Sequence, residues 1–362
     1  MKLFYEVLGR DFNVSTLNAI TAWEAITAKK NAGQLAGYKL WLNEDVYDKV
    51  NWTLPPVESI SSLEESHARY LRQKYDYVRV MYSGGSDSYS VVEAFLRAGQ
   101  KIDEILTYTL DTVYSDNPVS SDKIRVRYEW LVALYKKYNV EMPKVTNYKV
   151  SPSDLSNYYT DRYYYNHPGY CGSRAYNFNQ MSELAKFFPL PNVPNVGTIF
   201  GLEKPRFIFE NGHVFFANVD LVVLSGYTED YAVEWFYLND ATPELIKAQL
   251  WSVLNFALIH HPTNVAGFID ALQSDKNYYN QWCLLLGRQS SPEQNAIALL
   301  DKSDHTYTNY RHIQGYAQEQ HQSWINYQKF IGTIGNLSTE MFGERKMLPG
   351  ILSKKYYLRT VA

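Results

Sequence analysis

The chain has 362 residues, 46% of them hydrophobic and 20% charged, with a formal net charge of −3. That balance describes a globular protein with its own core and excludes a disordered chain; its slight acidity does not indicate a nucleic-acid coat, though a local basic face stays open. Cys171 and Cys283 are too few and too far apart for a disulfide scaffold, no run is apolar enough to span a membrane, and the first residues lack a signal-peptide core, so a reducing, cytoplasmic setting is expected.

Taken in order, Ser15 to Ala32 reads as a helix with Leu17, Ile20, Trp23 and Ile26 on one face, and residues 1–74 read as a helical N-terminal cap. Ser62-Leu63-Glu64-Glu65 has the form of a capping box opening a helix that carries Leu63, His67 and Tyr70. His67 has no partner at metal spacing and reads as a face residue. An alternation of β and α patterns follows. Strands are expected at Tyr77–Tyr82, Ile105–Leu110, Lys144–Val150 and Val196–Leu202. Helices are expected at Ser88–Ala98, Lys123–Tyr138 (Tyr128, Leu131, Leu134, Tyr135 and Tyr138 inward) and Arg174–Phe188.

This alternation predicts an α/β fold, a parallel twisted sheet with helices on both faces, over residues 75–206. Residues 207–362 read as a hairpin and a mainly helical C-terminal region. Phe207–Glu210, Asn211-Gly212 and His213–Phe216 have the form of a type I′ hairpin, and Asn218 to Tyr237 reads as loop. Thr242-Pro243-Glu244 starts a helix running to about Leu258, with Leu245, Gln249, Ser252 and Phe256 on one stripe. Further helices are expected at Val265–Leu272, Tyr278–Leu286, Pro292–Leu300 and Tyr316–Ile331; His260-His261 reads as a helix end, not a zinc site.

One stretch carries the chemistry. Between the strand ending at Tyr82 and the helix carrying Val91, Val92 and Phe95 lies Ser83-Gly84-Gly85-Ser86-Asp87-Ser88. Two glycines let backbone amides converge, and a new helix offers unpaired N–H groups and the positive end of its dipole. Ser83, Ser86 and Ser88 add hydroxyls, and Asp87 adds a carboxylate suited to Mg²⁺. The plain alternative is a βα turn with a serine cap. No Gly-Lys-Ser/Thr follows, so the turn is not a Walker loop, and Gly-x-Gly-x-x-Gly is missing.

In an open parallel sheet, ligands bind at the carboxyl ends of the strands where strand order reverses. Leu110-Asp111-Thr112, Ser151-Pro152-Ser153 and Gly201-Leu202-Glu203-Lys204-Pro205-Arg206 are expected to face the same cleft as the small-residue turn. Lys204 and Arg206 would neutralise charge developing on a phosphate, the plain alternative being a solvated charged turn, and Glu203 would share Mg²⁺ with Asp87. Arg174 either grips a phosphate or carboxylate bidentately or is a surface arginine. Tyr227, Glu229, Asp230, Glu234 and Trp235 lie where a segment can close over the cleft, although a solvated loop explains them as well.

Ser83-Gly84-Gly85-Ser86-Asp87-Ser88 resembles the Ser-Gly-Gly-x-Asp-Ser signature of the PP-loop ATP pyrophosphatases, the adenine nucleotide α-hydrolase-like superfamily, near its phosphoadenylyl-sulfate reductase-like and asparagine synthetase-like branches. The resemblance implies ATP and Mg²⁺ binding, attack of an acceptor on the α-phosphorus, and release of pyrophosphate. Asp111-Thr112 resembles an Asp-Thr pair of the reductase-type members, which implies a contact near nucleotide or Mg²⁺; a turn carboxylate is the equal alternative. No cysteine follows Cys283, and no paired, zinc-binding or N-terminal nucleophilic cysteine is present. Reductase, thiolation, nitrile-forming and glutaminase branches are therefore disfavoured. An AMP-forming ligase or adenylyl-transferring enzyme remains, acting on an unidentified amine- or carbonyl-bearing acceptor. Its rivals are an adenylyl-sulfate-binding protein that borrows a partner thiol and a catalytically silent nucleotide-binding protein.

Overall fold

The computed structural model describes residues 3–7, 10–13, 38–110, 118–150, 192–201, 205–217, 219–220, 233–274, 278–288, 351–352 and 354–361. The helices expected at Ser15–Ala32, Arg174–Phe188, Pro292–Leu300 and Tyr316–Ile331 lie outside these residues.

The chain begins with β1 (Leu3–Val7), β2 (Arg10–Asn13) and β3 (Tyr38–Leu42), an antiparallel sheet in the order β2-β1-β3. A short α1 (Glu44–Tyr47) leads to α2 (Ile60–Lys74). The cap of α2 is Ser59, whose Oγ accepts from Ser62 N at 3.2 Å. The capping-box reading placed this start three residues late, because Ser59 and Ser62 both precede a glutamate-bearing turn and only the first has extended backbone.

The core sheet then forms. β4 (Tyr77–Met81) is followed by α3 (Ser86–Arg97), β5 (Glu104–Leu110), α4 (Pro118–Lys137), β6 (Lys144–Val150) and β7 (Val196–Phe200). β8 (Arg206–Glu210) and β9 (His213–Ala217) make the expected hairpin, with Asn211 at φ 51° and Gly212 at φ 76°, the two left-handed positions that a type I′ turn needs. After β10 (Val219–Asp220) comes β11 (Val233–Trp235), then α5 (Pro243–His260), α6 (Val265–Ser274), α7 (Tyr279–Leu285), β12 (Ile351–Leu352) and β13 (Tyr356–Thr360).

Five strands pair in the order β11-β7-β4-β5-β6, every neighbouring pair parallel. The expected parallel α/β sheet is present, with one addition. Val233–Trp235, read from sequence as loop, is its outer strand, and Phe236 N donates to Phe200 O at 2.9 Å just past it. Three residues are too few to show a period-2 pattern.

One face of this sheet presents Val78, Val80, Tyr82, Ile105 and Ile199 to Leu63, Ala68 and Leu71 of α2, to Val91, Val92, Phe95 and Leu96 of α3, and to Leu131, Leu134 and Tyr135 of α4. Burying each such aliphatic or aromatic side chain contributes about 1.5–3 kcal/mol against an exposed reference. Tyr128 is exposed rather than inward, since it lies a full turn before the buried stripe of α4. Phe236, Tyr237, Leu245 and Ala248 join the same cluster, so β11 and α5 share the core of the parallel sheet. The opposite face carries Arg79, Met81, Glu104, Leu106, Thr198 and Phe200, all buried.

A second sheet, β13-β9-β8, packs around Tyr47, Trp52, Phe216 and Tyr356, whose rings meet at centroid distances of 4.8–6.4 Å. Trp251 of α5 donates to Trp52 O at 3.0 Å and ties this layer to the core. No described helix is long and apolar enough to cross a membrane.

Candidate functional site

The chain runs outward from β4 through β5 to β6, then returns to the other side of β4 for β7 and β11. Strand order therefore reverses at β4, and the turn at Ser83–Gly85 leaves the carboxyl end of that strand. This is the crevice position where open α/β sheets take ligands.

The turn is built from small residues for stated reasons. Gly84 sits at φ 78°, a conformation side chains resist. Gly85 is the N-cap of α3 with extended backbone and no side-chain cap hydrogen bond, so the first amides of α3 lack both an intrahelical acceptor and a serine or aspartate substitute. A Cβ on Gly85 would meet only Ser83 Oγ at 3.5 Å. A Cβ on Gly201, at the end of β7, would come within 2.9 Å of the Asp87 carbonyl carbon and oxygen. The end of β7 thus lies against the first turn of α3.

The serines shape the turn. Ser83 Oγ lies 3.2 Å from Ser88 Oγ and accepts from Gly85 N at 3.3 Å, while Ser88 Oγ accepts from Ser83 N at 3.2 Å and donates to Gly85 O at 3.1 Å. Ser86 is buried with its hydroxyl 3.4 Å from the Cys283 thiol of α7. Of these residues, Ser83 and Gly85 are exposed and Gly84 is buried.

Asp87 is held by a residue that pattern reading did not single out. Its Oδ1 accepts from Arg288 Nη1 at 2.6 Å; the Arg288 side chain is 1% exposed and that of Asp87 20%. Arg288 Nη2 donates to Gln249 Oε1 at 2.7 Å, and its guanidinium carbon lies 3.8 Å from the Tyr237 ring centroid, a cation–π contact. Tyr237 closes the group by donating from its hydroxyl to Asp87 O at 3.1 Å. Burial works against the Arg288 charge, but Asp87 together with Tyr237 and Cys283 more than offsets it, so the pKa is raised and the guanidinium stays protonated.

The geometry that places Arg288 is a helix ending. α7 stops in a Schellman motif: Gly287 at φ 71° donates to Leu284 O at 3.0 Å and Arg288 N donates to Cys283 O at 2.8 Å. Gly287 was the available signal, a glycine closing the expected Tyr278–Leu286 helix. Nothing local tells that the next residue crosses 201 positions to Asp87. Gln249 sits, fully buried, on the stripe expected for α5.

The other sequence candidates divide. Arg206 opens β8 and its Nη1 donates to Gln273 O at 3.4 Å, at the end of α6. Asp111, Arg174, Glu203 and Lys204 lie outside the described residues, as do Ser151-Pro152-Ser153, Tyr227, Glu229 and Asp230. Glu234 and Trp235 are buried in β11 rather than solvated. Burial pushes the Glu234 carboxyl up, but hydrogen bonds from Lys74 at 2.5 Å, from the Tyr75 hydroxyl and from Asn239 at 2.6 Å, with the Lys74 charge, hold it below the usual range. His67 is also fully buried; its ring stacks on Phe236 with centroids 4.8 Å apart, and burial pushes its pKa down to about 4.

Among the described residues no group of three or more histidine, cysteine or acidic side chains could hold a metal unaided. Asp87 suits Mg²⁺ only alongside a ligand that brings its own oxygens, which is how Mg²⁺ commonly binds with phosphates. No protein-family model and no curated protein matches the sequence. Among solved structures, NMN synthetase from Francisella tularensis aligns with 74% of this chain and 96% of its own length, at 11% identity and a TM-score of 0.28, a likeness too slight to add to the geometry above.

Proposed function

We propose that the turn after β4 holds the polyphosphate tail of ATP and that the protein transfers the adenylyl group of ATP to an acceptor. The observation that carries this reading is the placement of Ser83–Ser88: a Ser-Gly-Gly-x-Asp-Ser turn at the strand-order reversal, opening a helix whose first amides have no side-chain cap. Backbone amides of Gly84, Gly85 and the first turn of α3 would take phosphate oxygens, with the exposed Ser83 hydroxyl beside them. Asp87 would hold Mg²⁺ together with those oxygens, and Glu203 would share it. When bound, Mg²⁺ supplies neutralisation of the leaving pyrophosphate.

An acceptor oxygen attacks the α-phosphorus; a new oxygen–phosphorus bond forms, and the bond to the bridging oxygen of the β-phosphate breaks, its electron pair leaving with pyrophosphate. An amine then displaces AMP from the activated acceptor. Lys204, Arg206 and Arg174 are assigned to charge stabilisation around the transferring group, and Asp111 to the nucleotide side of the cleft. Positioning and electrostatics carry this chemistry, with no side-chain nucleophile.

The test pairs ligand-induced stabilisation with product release. MgATP should raise the melting temperature, and a screen of carboxylate, amide and amine acceptors should yield pyrophosphate and AMP in equal amounts. Asp87→Asn, which keeps an acceptor for Arg288, should retain the fold and abolish release. Pyrophosphate release at the parent rate from this variant would refute the metal assignment. A melting temperature indifferent to MgATP would refute the site.

A further inference from the structure

Resting on that reading of the turn, we propose that Arg288 is a positioning residue that switches the first turn of α3 from self-neutralised to anion-accepting. An aspartate in the first turn of a helix is itself the favoured partner of the positive dipole end. Asp87 occupies that position, and a bare carboxylate there would oppose the approach of a polyphosphate. Arg288 cancels it. The guanidinium meets Asp87 Oδ1 at 2.6 Å, and Gln249 and the Tyr237 ring hold it from the far side, so it cannot leave with solvent.

The pair is asymmetric in a way that suits this role. Arg288 is buried to 1% exposure while the Asp87 side chain keeps 20%, so the carboxylate is the member of the pair that solvent reaches. Arg288 Nε has no hydrogen-bond partner among the described residues. The first turn of α3 is thus held by Tyr237, two residues past β11, and by Arg288, just past α7, which follow Asp87 by 150 and 201 positions.

The test measures equilibrium binding of ATP and of adenosine to the full chain, without divalent metal and at low salt, so that only the phosphate tail separates the two probes. Arg288→Met should weaken ATP about tenfold or more and leave adenosine unchanged, since it removes the guanidinium cation that sits on the Asp87 carboxylate. Arg288→Lys should recover part of the loss. Asp87→Asn should bind metal-free ATP at least as tightly as the parent, and Asp87→Asn with Arg288→Met should return toward the parent value. Equal weakening of ATP and adenosine by Arg288→Met, or a double variant as weak as Arg288→Met alone, would overturn the proposal. Asp87→Asn decides the matter if Arg288→Met fails to fold: weakened metal-free ATP binding there also overturns it. A parent chain that binds adenosine but not ATP, or neither, refutes the nucleotide-tail reading itself, a result distinct from an ATP-binding parent whose variants do not discriminate.

Discussion

Two buried arginines sit on carboxylates at opposite ends of the parallel sheet, and they are built differently. At the amino end, Arg79 of β4 meets Glu104 of β5 at 2.7 and 2.8 Å, both side chains 2% exposed. Glu104 also accepts from Thr146 at 2.5 Å and Tyr77 at 3.3 Å, with Lys144 at 3.5 Å. Burial pushes the Glu104 carboxyl up, but the Thr146 hydrogen bond and the Arg79 charge together hold it below its ordinary range. At the carboxyl end, Arg288 meets an Asp87 whose side chain is 20% exposed. A dry pair, both side chains 2% exposed, fastens neighbouring strands. A pair whose carboxylate keeps 20% exposure, at the start of a helix, is poised for a ligand.

The largest expected effect breaks that contrast most directly. Glu104→Ala leaves the Arg79 charge buried and should cost about 3–5 kcal/mol in urea denaturation, whereas Arg79→Met with Glu104→Leu should be nearly neutral. Asp87→Ala should cost less, about 1–2 kcal/mol, because water can enter the vacated crevice side and the Tyr237 ring keeps its cation. Equal costs at the two ends would erase the distinction between fastening and poised pairs.

Burial without pairing is the third case. His67 is fully buried, and its pKa falls from an ordinary 6.5 to about 4. The unfolded chain then binds the proton that the native state refuses, so stability is lost as pH falls from about 6.5 and levels off near 4, by about 3 kcal/mol. His67→Phe, stacked on Phe236 and never charged, should flatten this part of the pH–stability curve. An unchanged slope would show that other groups carry the acid response.

Gly201 tests how tightly the crevice is drawn. Gly201→Ala puts a methyl group 2.9 Å from the backbone of Asp87 and from Val91 Cγ2, and backbone cannot rotate aside. The expected cost is about 1–3 kcal/mol, with the response to MgATP lost as α3 is pushed from β7. A variant of parent stability and parent nucleotide response would mean that this close approach serves neither function nor fold.

The sequence showed the poised end better in outline than in detail. Strand, small-residue turn and helix were legible because each has a short-range signature: alternation through Val78 and Val80, glycines that need φ 78° or a bare cap, and apolar recurrence at Val91, Val92 and Phe95. The hairpin at Asn211-Gly212 and the Pro243 start of α5 were legible for the same reason. What could not be read depends on distant chain. Arg288 and Tyr237 carry no periodic mark, and Gln249 in an apolar stripe looks like a tolerated polar residue until its amide is seen on Arg288. β11 is too short to announce itself, so the outer edge of the sheet was read as loop. Ser59 outcompeted the capping box at Ser62 through a local choice of backbone that composition does not fix.

The smallest effect separates shape from contact within the turn. Ser88 Oγ is committed to Ser83 N, Ser83 Oγ and Gly85 O, all within 3.1–3.2 Å. Ser88→Ala removes these bonds while leaving every glycine in place, and should cost about 1 kcal/mol of stability. If Ser88 serves mainly to preorganise the turn, the loss of ATP affinity should match that small figure and be the same for ATP and inorganic pyrophosphate. If its hydroxyl instead leaves the turn to meet a phosphate, affinity should fall well beyond the stability change, because one donor is lost to an anion rather than to a neighbour. Titration calorimetry beside thermal denaturation distinguishes the two, and the internal bonds seen for Ser88 predict the first.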